Sequence, residues 1–160
     1  MKGDSSGYHQ HLPQYLLKLV KHSLWANCLW VEFVYSHESS ENRPRELLAH
    51  LMVGERVWFE RIEGNQKTTE MFPSFEKAEL IQGFTQNAET FGRLIATRLE
   101  DDIRFRRGTG EEYHALVVDI IQHLLTHGYH HRGQLSAHYA RLGVQYPNTD
   151  HINYLIEQKL

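Results

Sequence analysis

Apolar residues recur at three- and four-residue spacing through four stretches of this chain, the period of amphipathic helices. In the first, from about Pro13 to Ser36, Leu17, Val20, Leu24, Cys28, Val31 and Tyr35 fall on one side. Ser39 to Arg43 is a polar break, and Pro44 suits the first turn of a second helix, where a missing N–H costs nothing. That helix places Leu47, Leu51, Trp58 and Ile62 on one face and reaches about Glu63, where Gly64-Asn65 stops it. Residues 65–73 read as a loop, and Ser74 as the cap of a third helix ending near Asp101. Ile103-Arg104-Phe105-Arg106 alternates like a short strand, with Gly108 and Gly110 as turns. A fourth helix, about Ala115 to Leu142, contains no proline and ends at Gly143. The pattern predicts an all-α fold: a four-helix bundle with a short irregular or β insert before the last long helix. One domain spans 1–160, with the polar residues 1–11 loose.

The polar residues on the edges of these stripes carry the chemistry. In the fourth helix Val117, Leu124, Gly128, Leu135 and Leu142 line up at about 100° per residue, and His127, His131 and His138 flank them. His127 and His131, four apart, stack on one helix face with Cβ atoms roughly 5–6 Å apart. Two imidazoles so held can reach one metal ion at about 2.0–2.1 Å. With twelve histidines in the chain a bare pair at this spacing arises by chance, but an accidental surface pair is not expected beside a core stripe. A third ligand should come from a neighbouring helix, as in other metal-binding bundles. His50 fits: it lies about 100° from Leu51, on the flank of the second helix's core face, and Gly54 one turn on removes a side chain that would crowd it. His123 extends the ladder one turn, where it competes as a ligand, supports a ligand from behind, or faces solvent. His130 reads as a rim residue.

Two further polar residues fall inside apolar stripes. Glu55 lies about 40° from Leu51 on the second helix, and Asn27 lies on the core face of the first. A buried carboxylate is costly unless paired. Glu55 either joins a buried hydrogen-bond network with Asn27 and Arg132, or stands behind a metal ligand and orients it.

Composition narrows the function classes. The 160 residues carry a formal net charge of −3, which gives no basic field for nucleic acid. Arg104, Arg106 and Arg107 read as a solvated turn or strand. The single cysteine, Cys28, excludes an intramolecular disulfide and fits a reducing compartment, and no apolar run is long enough for a membrane span. A cytoplasmic location follows as the default. Trp25, Trp30 and several tyrosines fall off the core stripes, an apolar surplus that predicts a homodimer.

Trp25-Ala26-Asn27, then His50 followed by Glu55 and Trp58, then His127-Gly128-Tyr129-His130-His131-Arg132-Gly133-Gln134, resembles the DinB/YfiT family of metal-binding helical bundles. The match runs in order from the first helix to Gly143. The resemblance implies a divalent ion, zinc or nickel first among the choices, held by His50, His127 and His131, with water or substrate completing the shell. Family members include S-transferases that use low-molecular-weight thiols and an isomerase that depends on one. The function this implies is metal-dependent thiol S-transfer to an electrophilic small molecule, with Gln134 as a polar contact at the site or bonded only to backbone. The alternatives are a metal-dependent hydrolase and a non-enzymatic metal-binding or stress-response protein. A di-iron carboxylate centre needs two Glu-x-x-His units on facing helices, and only Glu111-x-x-His114 occurs.

Overall fold

The computed structural model describes residues 6–37, 41–65, 69–106 and 109–158, with side chains from His11 onward. Four long helices, α1 (Ser6–Ser36), α2 (Arg43–Ile62), α3 (Lys77–Thr97) and α4 (Val117–Arg141), form the all-α bundle. Strands β1 (Asp102–Arg106) and β2 (Glu112–Leu116) pair antiparallel before α4, with Ile103 opposite Ala115, and a short α5 (His151–Glu157) follows it.

The core divides into two apolar clusters with polar residues between them on every long helix. One cluster holds Leu16 and Val20 of α1, Phe59 of α2, Phe91 of α3 and Leu124 of α4. The other holds Trp30 and Val31 of α1, Leu51 of α2, Phe84 of α3 and Leu135 of α4. Between them lie buried Ser23, Asn27, Glu55, Asn87 and Arg132. The order in which each helix visits the clusters fixes its direction: α1 and α4 run one way, α2 and α3 the other. Parallel neighbours cannot be joined by a tight turn, so the chain after α2 returns along the bundle before α3 begins. Tyr35 Oη marks its arrival, donating to the Phe75 carbonyl at 2.6 Å beside the far end of α1.

The buried polar layer is paired across helices, and among the described residues only Arg132 Nη2 within it lacks a hydrogen-bond partner. Asn87 Nδ2 donates to Glu55 Oε2 at 2.7 Å and to the Met52 carbonyl at 2.9 Å, and Arg132 Nη1 donates to Asn27 Oδ1 at 2.8 Å. Gly128 makes the last contact feasible: a Cβ there would come within 2.9 Å of Arg132 Nη1.

Several boundaries differ from the sequence expectation for identifiable reasons. Helix α1 already runs from Ser6, so the expected loose start is helical over 6–11, while residues 1–5 lie outside the described residues. Pro13, inside the helix, costs α1 one ladder bond without ending it. Helix α3 starts at Lys77, not after Ser74, because Glu76 and Glu79 form a reciprocal capping box, with Glu76 N donating to Glu79 Oε2 at 2.7 Å. It ends at Thr97 rather than Asp101, where Arg98 turns back to bond Asp101 at 2.7 Å. The expected strand has a partner, which takes Ala115 and Leu116 from the expected start of α4. Arg104 and Arg106 lie exposed on β1, and Arg107 and Gly108 lie outside the described residues. Leu142, placed on the α4 stripe, is 49% exposed, since the helix ends just before it and Gly143 takes φ 69°.

The largest difference concerns the tryptophans. Trp30 is fully buried, not surplus surface: Tyr146 stacks on it at 5.9 Å and its Nε1 donates to Thr149 Oγ1 at 3.2 Å. Trp25 is half-buried, and its Nε1 donates to Glu157 Oε2 at 3.0 Å. Buried His22 completes the seam, donating from Nε2 to the Thr149 carbonyl at 2.8 Å while Tyr129 Oη donates to its Nδ1 at 3.1 Å. The segment after Gly143 therefore covers the apolar face that the four-helix pattern leaves open on α1, and Trp30 offers nothing to a second copy.

Candidate metal centre

Helix α4 presents His127 and His131 one turn apart, and α2 brings His50 against them. One nitrogen from each of the three lies within 4.8 Å of the other two. His127 Nε2 and His131 Nε2 are 2.9 Å apart. The His50 ring lies 5.2 Å from that of His127 and 4.8 Å from that of His131, inclined at 61° and 79°. The rings thus stand edge-on around a common point instead of stacking. Three nitrogens tetrahedrally bound at about 2.0–2.1 Å would be separated by about 3.3 Å, a small adjustment from these positions.

The surroundings favour ligation by neutral imidazole. Burial, then the neighbouring histidines His131, His50, His123 and His130, push His127 down to about 4. His50 is lowered by burial and by His131, against the Met71 backbone, which favours its protonated form. His131 is lowered by burial, which Gln134 partly offsets. At neutral pH all three keep a free lone pair, the state a divalent ion requires. His50 Nδ1 is buried with no hydrogen-bond partner of good geometry. Buried polar atoms are rarely left so, and this donor set of three imidazoles fits a zinc- or nickel-type ion.

Gln134 sits behind the cluster and fixes one ring. His131 Nδ1–H donates to Gln134 Oε1 at 2.8 Å, which leaves Nε2 unprotonated and aimed at His127. The Gln134 amide then donates to His130 Nε2 at 3.1 Å. Gln134 is thus bonded to side chains and not to backbone alone, and His130 is exposed at the rim as expected.

Other expected participants lie apart. His123 is exposed, its ring 5.7 Å from that of His127 and 5.5 Å from that of Trp58, and it does not join the group of ligating atoms. His138 pairs with Glu41 at 3.6 Å. Gly54 faces His127 rather than His50, and a Cβ there would meet His127 Cε1 at 3.7 Å, an ordinary contact that crowds neither ring. Glu55 bonds Asn87 and, among the described residues, has no hydrogen bond to the three histidines. Its place is the buried polar network, one of the two roles the sequence allows. The Asn87 amide was not foreseen there; its signal is a lone polar residue between Phe84 and Phe91 on the α3 core face.

Burial raises Glu55 to about 7, despite the Asn87 hydrogen bond and the charges of Arg132 and Arg56, which favour ionisation. Because the folded value exceeds the ordinary 4.5, its contribution to stability is complete below pH 4.5 and is lost as pH rises through 7. Glu55→Gln keeps a carbonyl acceptor for Asn87 and removes the titration. Relative to the variant, the wild-type chain should lose on the order of 2 kcal/mol between pH 4.5 and pH 8. Urea unfolding of both proteins across that range checks this, since the histidines titrate in both and cancel; parallel curves would contradict it.

The fold and the cluster together define a helical bundle with a three-histidine centre. The sequence matches the DinB family over residues 17–159, and the chain belongs to that family. No curated protein matches it. No helix among the described residues is long and apolar enough to cross a membrane.

Proposed function

We propose that His50, His127 and His131 hold one divalent ion, zinc or nickel, in a catalytic centre for thiol S-transfer to an electrophilic small molecule. The observation that carries the proposal is the group itself: three neutral imidazole nitrogens within 4.8 Å and, among the described residues, no fourth ligating side chain. A structural site is closed by four protein ligands, whereas a catalytic site keeps a position for water or substrate. Three neutral ligands leave a divalent ion its full charge, and the chemistry it supplies when bound is acidification of a coordinated thiol or water.

The protein's residues do the rest. Gln134 holds His131 in the tautomer that presents Nε2, and the half-buried position of the three rings limits competition from bulk water. The thiol proton passes to solvent. The sulfur then forms a bond to the electrophilic carbon of the acceptor, which releases its leaving group or, if it is an alkene or epoxide, takes up a proton. Thiol transfer is favoured over hydrolysis by the family's S-transferases, and the same site accommodates either nucleophile.

The test is a panel of low-molecular-weight thiols and electrophilic acceptors, with metal-loaded, metal-free and His131→Ala protein. Transfer above the uncatalysed rate should require both metal and His131. Ester or amide hydrolysis without thiol turnover would establish the hydrolase, and metal binding without either reaction would establish a binding protein.

A further inference from the structure

We infer that Arg43, held over Phe72 at the mouth of the histidine centre, recognises an anionic group, so that the ligand entering the site carries a carboxylate beside its donor atom. The inference rests on the metal centre proposed above and names the class of its ligand. Arg43 and His50 are seven residues apart on α2, which brings them within about 20° of the same face and about 10.5 Å apart along the axis. Phe72, delivered by the returning chain between α2 and α3, spans that gap. Its ring stacks on His50 at 4.8 Å and 12°, and the Arg43 guanidinium carbon lies 5.7 Å from the same ring's centre. Phe72 is 46% exposed and the Arg43 side chain 52%, so both line the approach from solvent.

The Phe72 ring thus lies against both groups, with the guanidinium on the solvent side of the mouth and His50 on the inner side. The position of the guanidinium is otherwise unfavourable, because a cation in the first turn of a helix faces the positive end of the dipole. The local acid Glu46 offsets this only in part, through one contact at 3.4 Å from Arg43 Nη1 on an exposed pair. Such a pair contributes little. A guanidinium with five donors, one of them so engaged, is free to take a carboxylate in the bidentate geometry that lysine cannot reproduce. Arg45, in the same turn, is instead committed to the Tyr35 ring at 4.6 Å.

The test uses the full chain loaded with cobalt(II), titrated with 3-mercaptopropionate and with the neutral 2-mercaptoethanol, while the sulfur-to-cobalt absorption band is followed. Wild type should bind the carboxylate thiol more tightly by about two- to fivefold, the effect of one exposed charge pair. Arg43→Gln should abolish the preference, Arg43→Lys should keep part of it, and Glu46→Gln, which releases the guanidinium, should increase it. A preference that survives intact in Arg43→Gln would come from chelation by the thiol's own carboxylate and would overturn the inference, as would equal binding of both thiols by wild type. Failure of the metal centre has a different signature: no cobalt uptake, or no sulfur band with either thiol.

Discussion

Replacing any one of His50, His127 or His131 by alanine is expected to abolish stoichiometric metal binding. Loss of an outer partner of a ligand typically lowers metal affinity by about 10–100-fold, and loss of a ligand should exceed the upper figure. The three histidines are not interchangeable with their neighbours. His130 is exposed and bonded to Gln134, and His123 stacks outside the group, so His130→Ala and His123→Ala should retain the ion. Metal content after dialysis, measured for all five variants, checks this. Full retention in His50→Ala would break the cross-helix assignment, and equal loss in His130→Ala would break the distinction between ligand and rim.

A comparably large effect on stability is expected at Trp30. Trp30→Ala removes a fully buried indole that packs against Tyr146 and Tyr139 and bonds Thr149, and should cost about 3–5 kcal/mol. The loss falls on the docking of the segment after Gly143, so signals from Tyr146 and Tyr154 should change together. Trp30→Phe, which keeps an aromatic ring but not the N–H donor, should recover most of the stability. Chemical denaturation of the three proteins measures this; a loss below about 1 kcal/mol in the alanine variant would mean that the segment is not seated on α1 as described.

The contrast between these two sites shows what the sequence makes legible. His127 and His131 are local: four residues on one helix fix their relation before anything packs, and His50 is found by asking which flank position on another helix could meet them. The buried network was partly legible for the same reason, since Glu55 and Asn27 interrupt apolar stripes and Arg132 offers them a partner. The Trp30 environment is not local. Tyr146 and Thr149, which cover it, lie more than a hundred positions away, in the segment after Gly143, whose helix α5 is seven residues long and too short to display a period. Trp30 lies off the α1 stripe because α1 is buried on two sides, by the bundle and by this segment. Strand β2 was missed because its residues are almost all exposed and do not alternate. Phe72 lies in a loop, and only the parallel course of α2 and α3 carries it back over His50. The spacing of Arg43 and His50 was readable, but without Phe72 nothing gave it meaning.

X-ray absorption at the zinc edge of the zinc-loaded protein tests the central claim most directly. One ion per chain should show three imidazole nitrogens and one exchangeable oxygen ligand at about 2.0–2.1 Å. Addition of a thiol should replace that ligand with a single sulfur at about 2.3 Å. Four imidazoles around the ion, unchanged by thiol, would describe a closed structural site and contradict the account.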